Sequence, residues 1–457
     1  MGNDAFKDLV GQVQSSKLSR RQFMQRAAAL GVSATAVSGV LRAMPTRAQD
    51  SKEITFWTTF TNVDLDHLQA VVDPYNQQAQ GHQIKLTQIP PAQVTNTTQL
   101  MTAVRGGVGP DVYLLDRFIV AQRAADGLLE DLSSVGADDV ISGYIPFAKS
   151  EASYNGKVWA LPFDTDDRAL FYNKDLLTAS GVDPAELDSA KGPVTWDKVA
   201  ELAAKVDKKD NNGNYSQMGF IPWLNQGWHY TYGFSFGGSF FDQASCSVTP
   251  DDPKIVEAFT WVQNYCNTLG ADAVQAFGGP SMQPGADPTQ DPFYAGKLGM
   301  VITGDWVIAN IKQYAPDMKY GITYMPVPKT GDKPVTWAGG WSVVIPKGAK
   351  NPEEAWSFMK FFAGPDGQKV YTKVSNHLPT LTALASDATL ISSDHKFMAD
   401  MLATAKNRPP LPVGAKYWDE LSAAWQKDYL NQGKPADLLK GVKDAVNKDL
   451  QKYCPIS

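Results

Sequence analysis

The sequence predicts an α/β fold with more than one lobe, and three observations carry that prediction. Its 457 residues exceed the roughly 250–300 residues that one hydrophobic core usually organises. Short runs of alternating apolar residues, typical of strands, are separated by segments with apolar residues at helical spacing. The composition, with 43% hydrophobic and 20% charged residues, is that of a globular chain and argues against long disordered regions.

The first 48 residues have the pattern of an export signal and are set apart from the fold. Two arginines within Ser19–Met24 (SRRQFM) precede an apolar run, 27–41, that is too short to span a membrane. The motif resembles a twin-arginine signal. We therefore predict export by that route to a periplasmic or extracytoplasmic location, with membrane association if the segment is retained.

Without this segment the chain is acidic. The segment holds seven Lys and Arg and two Asp, so the remainder has 35 basic and 46 acidic residues, a net charge of −11. Such a surface argues against nucleic acid and anionic lipid as partners. The sequence has no run of ~18 uncharged apolar residues, which excludes a protein with several membrane spans.

The order strand–helix–strand–helix–strand follows the signal. Strands are predicted at 53–58, 82–89 and 112–115, and helices at 64–78 and 97–105. This order predicts right-handed crossovers and a mostly parallel sheet, in which ligands bind beyond the carboxyl ends of strands. That rule indicates Trp57 and Thr59 after the first strand and Asp116 and Arg117 after the third.

Strands and helices continue to alternate along the rest of the chain. Further strands are predicted at 157–161, 169–171, 298–303, 320–324 and 339–345, and helices at 199–206, 252–266, 352–362, 394–405, 419–430 and 435–451. An aromatic stretch at 223–241 and a Gly/Pro-rich loop at 278–292 interrupt them. No internal repeat is visible.

The unusual feature is the number of aromatic residues, 12 Trp, 17 Tyr and 20 Phe. A saccharide presents apolar C–H faces and a rim of hydroxyls, so its site combines aromatic planes with carboxylate, amide or Arg groups. Such groups recur at segment ends, and in Gly340-Trp341 the glycine lets a ring lie close to the backbone. Trp306 and Trp341 are therefore predicted to line a pocket. Positions on helix or strand faces instead suit a core role for Trp159, Trp261, Trp356 and Trp425.

Short motifs in a characteristic order carry a resemblance to a known family. They are GPDV at 109–112, DRF at 116–118, ALPF at 160–163, ALFYNKDL at 169–176, GDW at 304–306 and GGWS at 339–342. From about Lys52 to the C-terminus the chain resembles the periplasmic sugar-binding proteins of ABC importers, which are maltose-binding-protein-like. The resemblance implies a periplasmic-binding-protein-like type II fold, with two α/β lobes, a hinge and a ligand cleft between the lobes.

The resemblance also implies lobe boundaries and ligand residues. The N-terminal lobe would comprise 49–162 plus 306–363, and the C-terminal lobe 163–305 plus 364–457. By matching motifs, the ligand groups would come from the DRF segment, from Asp166, from the GDW segment, from the aromatic stretch and from a C-terminal segment. Together with the residues indicated above, the predicted ligand-binding set is Trp57, Thr59, Asp116, Arg117, Asp166, Trp223, Trp228, Trp306, Gly340, Trp341, Arg408, Tyr417 and Trp418.

The resemblance implies a monomeric receptor that binds a mono- or oligosaccharide, closes over it and docks on ABC permease transmembrane subunits. Two alternatives stay open. A glycerol-phosphate diester is carried by related proteins, although Arg117 and Arg408 against Asp116, Asp166 and Asp305 favour a neutral sugar. An exported glycoside hydrolase would need two carboxylates across the scissile bond, and Asp116 and Asp166 could supply them.

Neither the cysteines nor the histidines predict a metal or redox site. Cys246, Cys266 and Cys454 include no C-x-x-C pair, and in an oxidising compartment Cys246 could pair with Cys266. The five histidines show no H-x-x-x-H or H-x-x-H spacing. We therefore predict no catalytic group, no metal and no cofactor.

Overall fold

The computed structural model describes residues 10, 12, 23, 26, 27, 51–90, 97–279 and 286–456. The two arginines of the twin-arginine motif and nearly all of the predicted export signal lie outside the described residues. The chain divides into two units, Met1–Glu53 with Ala79–Gln83, and Ile54–Gln78 with Ile84–Ser457. In the first unit the backbone N–H of Lys52 donates to the carbonyl of Gly81. The core and the site described below belong to the second unit.

A first five-stranded sheet gathers strands from distant parts of the chain. Its members are β1 (Lys52–Thr58), β2 (His82–Gln88), β3 (Val112–Asp116), β6 (Leu161–Pro162) and β16 (Trp341–Val344), in the order β2-β1-β3-β16-β6. Strands β1 and β3 are parallel, as predicted, but β16 runs antiparallel to both β3 and β6. The sheet is therefore mixed, because strands from much later in the sequence join it in the opposite direction.

A second five-stranded sheet consists of β8 (Arg168–Asn173), β9 (Lys208–Lys209), β10 (Tyr215–Phe220), β13 (Leu298–Gly304) and β14 (Tyr320–Thr323), in the order β14-β8-β13-β10-β9. The central strands β8 and β13 are buried along their whole length. Strand β14 pairs with β8, although the predicted boundaries assign residues 306–363 to the first lobe. The lobe boundaries themselves stay a prediction.

Four further pairs of short strands accompany the two sheets. The pairs are β4 (Ser153–Tyr154) with β5 (Lys157–Val158), β7 (Asp164–Thr165) with β17 (Leu378–Pro379), β11 (Phe241–Asp242) with β12 (Ser247–Val248), and β15 (Trp337–Ala338) with β18 (Lys406–Asn407). Strand β7 lies between β6 of the first sheet and β8 of the second, and β15 lies between β14 and β16. These two segments therefore carry the chain from one sheet to the other.

Helices pack against both sheets, and those that were predicted end within four residues of the predicted positions. They are α1 (Asn62–Gln78), α2 (Thr98–Arg105), α3 (Val120–Ala125), α4 (Ala137–Ile141), α5 (Pro146–Glu151), α6 (Lys174–Ala179), α7 (Trp196–Val206), α8 (His229–Ser235), α9 (Pro253–Leu269), α10 (Ala271–Gly278), α11 (Val307–Tyr314), α12 (Pro352–Phe362), α13 (Pro365–Ser375), α14 (Thr382–Ala385), α15 (Ser393–Met401), α16 (Gly414–Tyr429) and α17 (Pro435–Leu450). Capping explains several starts, since the side chains of Thr195 and Asp252 accept the N–H groups of Lys198 and Lys254. Among the described residues, no helix combines the length and the apolar character needed to cross a membrane.

Aromatic side chains fill the cores. Phe163 stacks on Phe362 with ring centres 4.1 Å apart, and Trp196 stacks on Tyr232 at 4.7 Å. Of the tryptophans predicted for the core, Trp356 and Trp425 are buried. The other two, Trp159 and Trp261, are only half-buried, and their indole N–H groups donate to the carbonyl of Tyr154 and to Asp197.

The cysteine pairing differs from the one considered for the sequence. Cys246 is bonded to Cys454, and Cys266 is a buried free thiol. The pairing of Cys246 with Cys266 is therefore wrong, since Cys266 lies on the buried face of α9. The bond instead ties the segment after α17 to the turn between β11 and β12.

Replacing Cys246 and Cys454 by serine should lower the free energy of unfolding by about 2–4 kcal/mol. The cross-linked residues are 208 positions apart, so the bond removes many conformations from the unfolded chain. Urea unfolding measures the effect. Dithiothreitol should lower the free energy of unfolding of the wild type to that of the double variant and should leave the value for the variant unchanged. Equal stability of the two oxidised proteins would contradict the expectation.

Candidate functional site

A cavity of about 270 Å³ lies where strand ends of the two sheets meet. Asp116 ends β3 and Trp341 begins β16 of the first sheet, while Arg168 begins β8 and Trp306 follows β13 of the second. Asp116 is at the carboxyl end of β3, the position that the rule for parallel strands indicates. The other lining residues are Phe60, Asp64, Asp166, Asn225, Gln226, Trp228, Trp337, Gly340, His377, Arg408 and Trp418.

Most of the predicted ligand residues meet in this cavity. Within the described part of the chain, those that line it are Asp116, Asp166, Trp228, Trp306, Gly340, Trp341, Arg408 and Trp418. Those that do not line it are Trp57, Thr59, Arg117, Trp223 and Tyr417. That the lining residues bind a ligand stays a prediction.

Arg117 is fully buried and bonds to backbone next to the cavity without lining it. Its Nε donates to the Glu151 carboxylate at 2.7 Å, and its terminal nitrogens donate to the backbone carbonyls of Asp164 and Gly339. These partners hold the guanidinium away from the cavity. Arg117 therefore bonds to the backbone on either side of Gly340 and does not line the cavity, and its predicted contact with a ligand stays a prediction.

The other four residues outside the cavity have local reasons for their placement. Tyr417 is buried, and its hydroxyl donates to the carbonyl of Phe240 at 2.9 Å. Because consecutive helix residues point in different directions, Trp418 reaches the cavity and Tyr417 does not. Trp57 and Thr59 are half-buried near the end of β1, and the ring of Phe60 lines the cavity instead. Trp223 lines a second, adjoining cavity.

Two arginines of the cavity are already paired with carboxylates. Arg408 Nη2 lies 2.6 Å from Asp116 Oδ1. Arg168 pairs with Asp166, and its Nη2 donates to Gln226 Oε1 at 2.9 Å. Burial alone would raise the pKa of Asp166, but nearby positive charge, above all the Arg168 guanidinium with Arg117 further away, holds this pKa below its usual value. The positive charges are therefore largely balanced within the protein.

Aromatic rings hold these cations and form the cavity walls. The Arg168 guanidinium carbon is 3.9 Å from the centre of the Trp337 ring, within the range of a cation–π contact. Trp306 stacks on His377 at 5.5 Å with 16° between the planes. Trp341 meets Phe60 edge to face at 4.8 Å. The walls thus present several ring surfaces beside charged and amide groups.

Two glycines permit the close packing of the tryptophans. Gly340 has φ +135°, and a Cβ there would lie 2.4 Å from the Asp164 carbonyl oxygen. A Cβ on Gly304 would lie 1.9 Å from the Trp306 ring. The glycines of the GGW and GDW motifs are therefore required by backbone conformation and by close approach.

Buried acids under the cavity orient the two tryptophans. Asp164 accepts the N–H of Trp341 at 2.6 Å, and Asp305 accepts the N–H groups of Trp306 and Leu378, each at 3.1 Å. Burial raises the pKa of Asp164 and of Asp305 well above the usual value. Burial also lowers the pKa of neighbouring His377 to about 4, so that ring is neutral at pH 7. No group of acids, histidines and cysteines among the described residues is arranged to hold a metal ion.

Several lining residues were not predicted from the sequence. Asp64 lies in the first turn of α1, and burial raises its pKa to about 6. Arg168 stands two positions after the predicted Asp166, so its charge was a usable signal. His377 and Trp337 come from segments that only tertiary packing brings to the cavity.

Known proteins resemble this chain over most of its length. Residues 63–369 match the family described as bacterial extracellular solute-binding protein. A maltotriose-binding protein of Pyrococcus abyssi (strain GE5 / Orsay) is 24% identical over 412 residues, which cover 88% of this chain and 83% of the relative. A maltooligosaccharide ABC transporter solute-binding lipoprotein of Streptococcus pneumoniae serotype 4 is 25% identical over 447 residues, 93% of this chain and 94% of the relative.

Solved structures show the same architecture. The structure of CpMnBP1 with mannobiose bound has a TM-score of 0.77 and 26% identity, and the match covers 87% of this chain and all of that one. The predicted α/β class, of the maltose-binding-protein-like type, is thus confirmed. Since the family match spans more than half of the sequence, the chain belongs to the bacterial extracellular solute-binding proteins.

Proposed function

We propose that this protein is the extracytoplasmic receptor of an ABC carbohydrate importer. It binds a mono- or oligosaccharide in the cavity between the two sheets and passes it unchanged to the permease. The observation that carries the proposal is the pairing of indole planes, such as Trp306 and Trp341, with the Asp116–Arg408 and Asp166–Arg168 pairs. Indoles stack on C–H faces, while carboxylates and guanidinium groups bond to sugar hydroxyls.

The charges of the cavity favour a neutral sugar over a glycerol-phosphate diester. A phosphate needs a guanidinium or ammonium group that is available to neutralise it. Arg168 and Arg408 are each committed to a carboxylate, and Asp64 adds a further acid to the lining. An anionic ligand would therefore have to displace an internal ion pair.

The same pairs argue against a glycoside hydrolase. A general acid in a hydrolase has a raised pKa so that it carries a proton at working pH. Arg168 instead holds the pKa of Asp166 below its usual value, which disfavours Asp166 as the acid. Burial raises the pKa of Asp116, but its Oδ1 already lies 2.6 Å from Arg408 Nη2 and accepts the N–H of Phe118, so this oxygen is engaged by internal donors. This arrangement suits hydrogen bonding to hydroxyls without turnover.

Binding and transport are coupled in this proposal by closure of the protein over the ligand. A ligand that contacts groups from both sheets stabilises the closed state by its differential affinity for that state. The segments containing β7 and β15 carry the chain between the sheets and are the candidate hinge. The export route through the twin-arginine signal, docking on permease subunits and the monomeric state are parts of the same proposal.

The experiment is a sugar panel followed by Trp306→Ala. A sugar at 100 times its dissociation constant stabilises the wild type by about 2.7 kcal/mol, which thermal unfolding detects. We expect Trp306→Ala to weaken that sugar about tenfold or more in calorimetric titration, because a stacking plane is lost.

The matched control is Trp159→Ala, which removes a half-buried tryptophan outside the cavity and should leave the affinity unchanged. Full affinity in the Trp306 variant would remove this residue from the site. Chromatography of the sugar after incubation checks for cleavage products, and their appearance would contradict a receptor.

A further inference from the structure

We propose that a saccharide held in the central cavity continues into a second, adjoining cavity, where its further sugar units bind. This inference rests on the proposed function and narrows it to a chain of three or more units. It assigns a role to Trp223, which the sequence indicates as a ligand residue but which does not line the central cavity.

The second cavity adjoins the first. Its volume is about 640 Å³, more than twice that of the central cavity, and Asn225 and Trp228 line both. The same indole and the same amide thus border both spaces, so in this proposal a chain that extends from the central cavity past Trp228 reaches the second cavity.

A stacked aromatic pair forms a platform in the second cavity. The rings of Trp223 and Tyr429 lie 4.5 Å apart with only 13° between their planes. Both side chains are half-buried, so the stack is partly accessible from the cavity. A flat, supported indole of this kind suits the C–H face of a sugar ring.

The polar groups of this cavity are suited to hydroxyls. Its lining includes the amides of Asn225, Gln275 and Gln426 and the carboxylate of Asp291, and it includes no Lys or Arg. Amides donate and accept, as a hydroxyl does, whereas an anionic ligand would meet no cation here. The chemistry therefore matches a neutral saccharide.

The loop that carries both tryptophans is held rigidly. The N–H of Gln226 donates to the carbonyl of Ile302 at 3.0 Å, and the Tyr232 hydroxyl donates to the carbonyl of Pro222 at 2.9 Å. A Cβ on Gly227 would lie 1.8 Å from the Pro222 carbonyl oxygen. The separation of Trp223 and Trp228 is thus set before a ligand arrives, which lowers the entropic cost of binding.

Calorimetric titration with linear malto- and β-manno-oligosaccharides of two to six units tests the inference. In the series that binds, we expect the longer members to bind the wild type about tenfold more tightly than the disaccharide. Trp223→Ala should abolish this gain and leave the disaccharide affinity within twofold of wild type. Trp223→Phe keeps a flat ring and should restore part of the gain.

The control is Trp261→Ala, which removes a half-buried tryptophan of α9 that lines neither cavity and should keep the full gain. An affinity independent of chain length would overturn the inference and leave the proposed function standing. So would equal weakening of the disaccharide and the longer sugars by Trp223→Ala. Failure of the wild type to bind any saccharide would overturn both.

Discussion

Replacing Glu151 by alanine should lower the free energy of unfolding by about 3–5 kcal/mol. Glu151 and Arg117 are both fully buried, and the carboxylate lies 2.7 Å from the arginine Nε. An arginine keeps its charge in the interior, so the variant would bury a cation without its counter-charge. Urea unfolding at pH 7 measures the loss.

The matched control is Glu201→Ala, which removes an exposed carboxylate paired with Lys198 and Lys205. Solvent screens such pairs, so this change should cost less than about 1 kcal/mol. Glu151→Gln keeps an acceptor for Arg117 and should fall between the two. A loss for Glu151→Ala no larger than that of Glu201→Ala would contradict the structural role of the pair.

The Glu151 variant should also bind ligand more weakly. Arg117 holds the carbonyls of Asp164 and Gly339, which flank the backbone of Gly340 at the cavity. Without Glu151 the guanidinium is less firmly placed, and that backbone loses its support. Calorimetric titration with the sugar that binds the wild type measures the effect, and unchanged affinity in a folded variant would contradict it.

Asp428→Asn should stabilise the protein at alkaline pH. Asp428 is buried on α16, and neither carboxylate oxygen has a hydrogen-bond partner among the described residues. Burial raises its pKa from the usual 3.8 to about 8. As pH rises from 4 to 8, the unfolded state releases this proton and the folded state keeps it. Stability is therefore lost across that window and levels off above it.

At pH 9 the asparagine variant should be more stable than wild type by several kcal/mol, since each pKa unit corresponds to about 1.4 kcal/mol. At pH 4 the two proteins should be nearly equal. Urea unfolding at pH 4, 6 and 9 gives the difference. Exposed Asp444→Asn is the control and should show no such pH dependence. If the difference in free energy of unfolding between variant and wild type does not grow with pH, the raised pKa of Asp428 is refuted.

Elements of the fold were predictable where neighbouring residues carry the information. The strand predicted at 53–58 is observed at Lys52–Thr58, and the helix predicted at 352–362 is observed with those bounds. Hydrophobic periodicity is a local property, so the sequence displays it directly. The antiparallel pairing of β16 and the bond between Cys246 and Cys454 join segments that are far apart in the sequence. A local pattern of residues therefore does not predict them.

The candidate site was predictable to the same limited extent. Asp116, Trp306 and Trp341 were predicted because they stand near strand ends, where α/β sheets bind ligands, and all three line the cavity. Arg117 was assigned to the ligand and Arg168 was overlooked, although both are arginines beside strand ends. Arg168 lines the cavity and Arg117 does not, because Glu151, 34 positions from Arg117, accepts a hydrogen bond from the Arg117 Nε.

The sequence by itself determined the α/β class, the order of the elements, the family resemblance and a stock of aromatic and acidic groups near strand ends. Tertiary structure decided which of these groups face the cavity and which are paired with other residues of the protein. It also decided that a second cavity adjoins the first. The physical reason is that periodicity acts between neighbours in the chain. Burial and pairing instead act between residues such as Asp116 and Arg408, which are 292 positions apart.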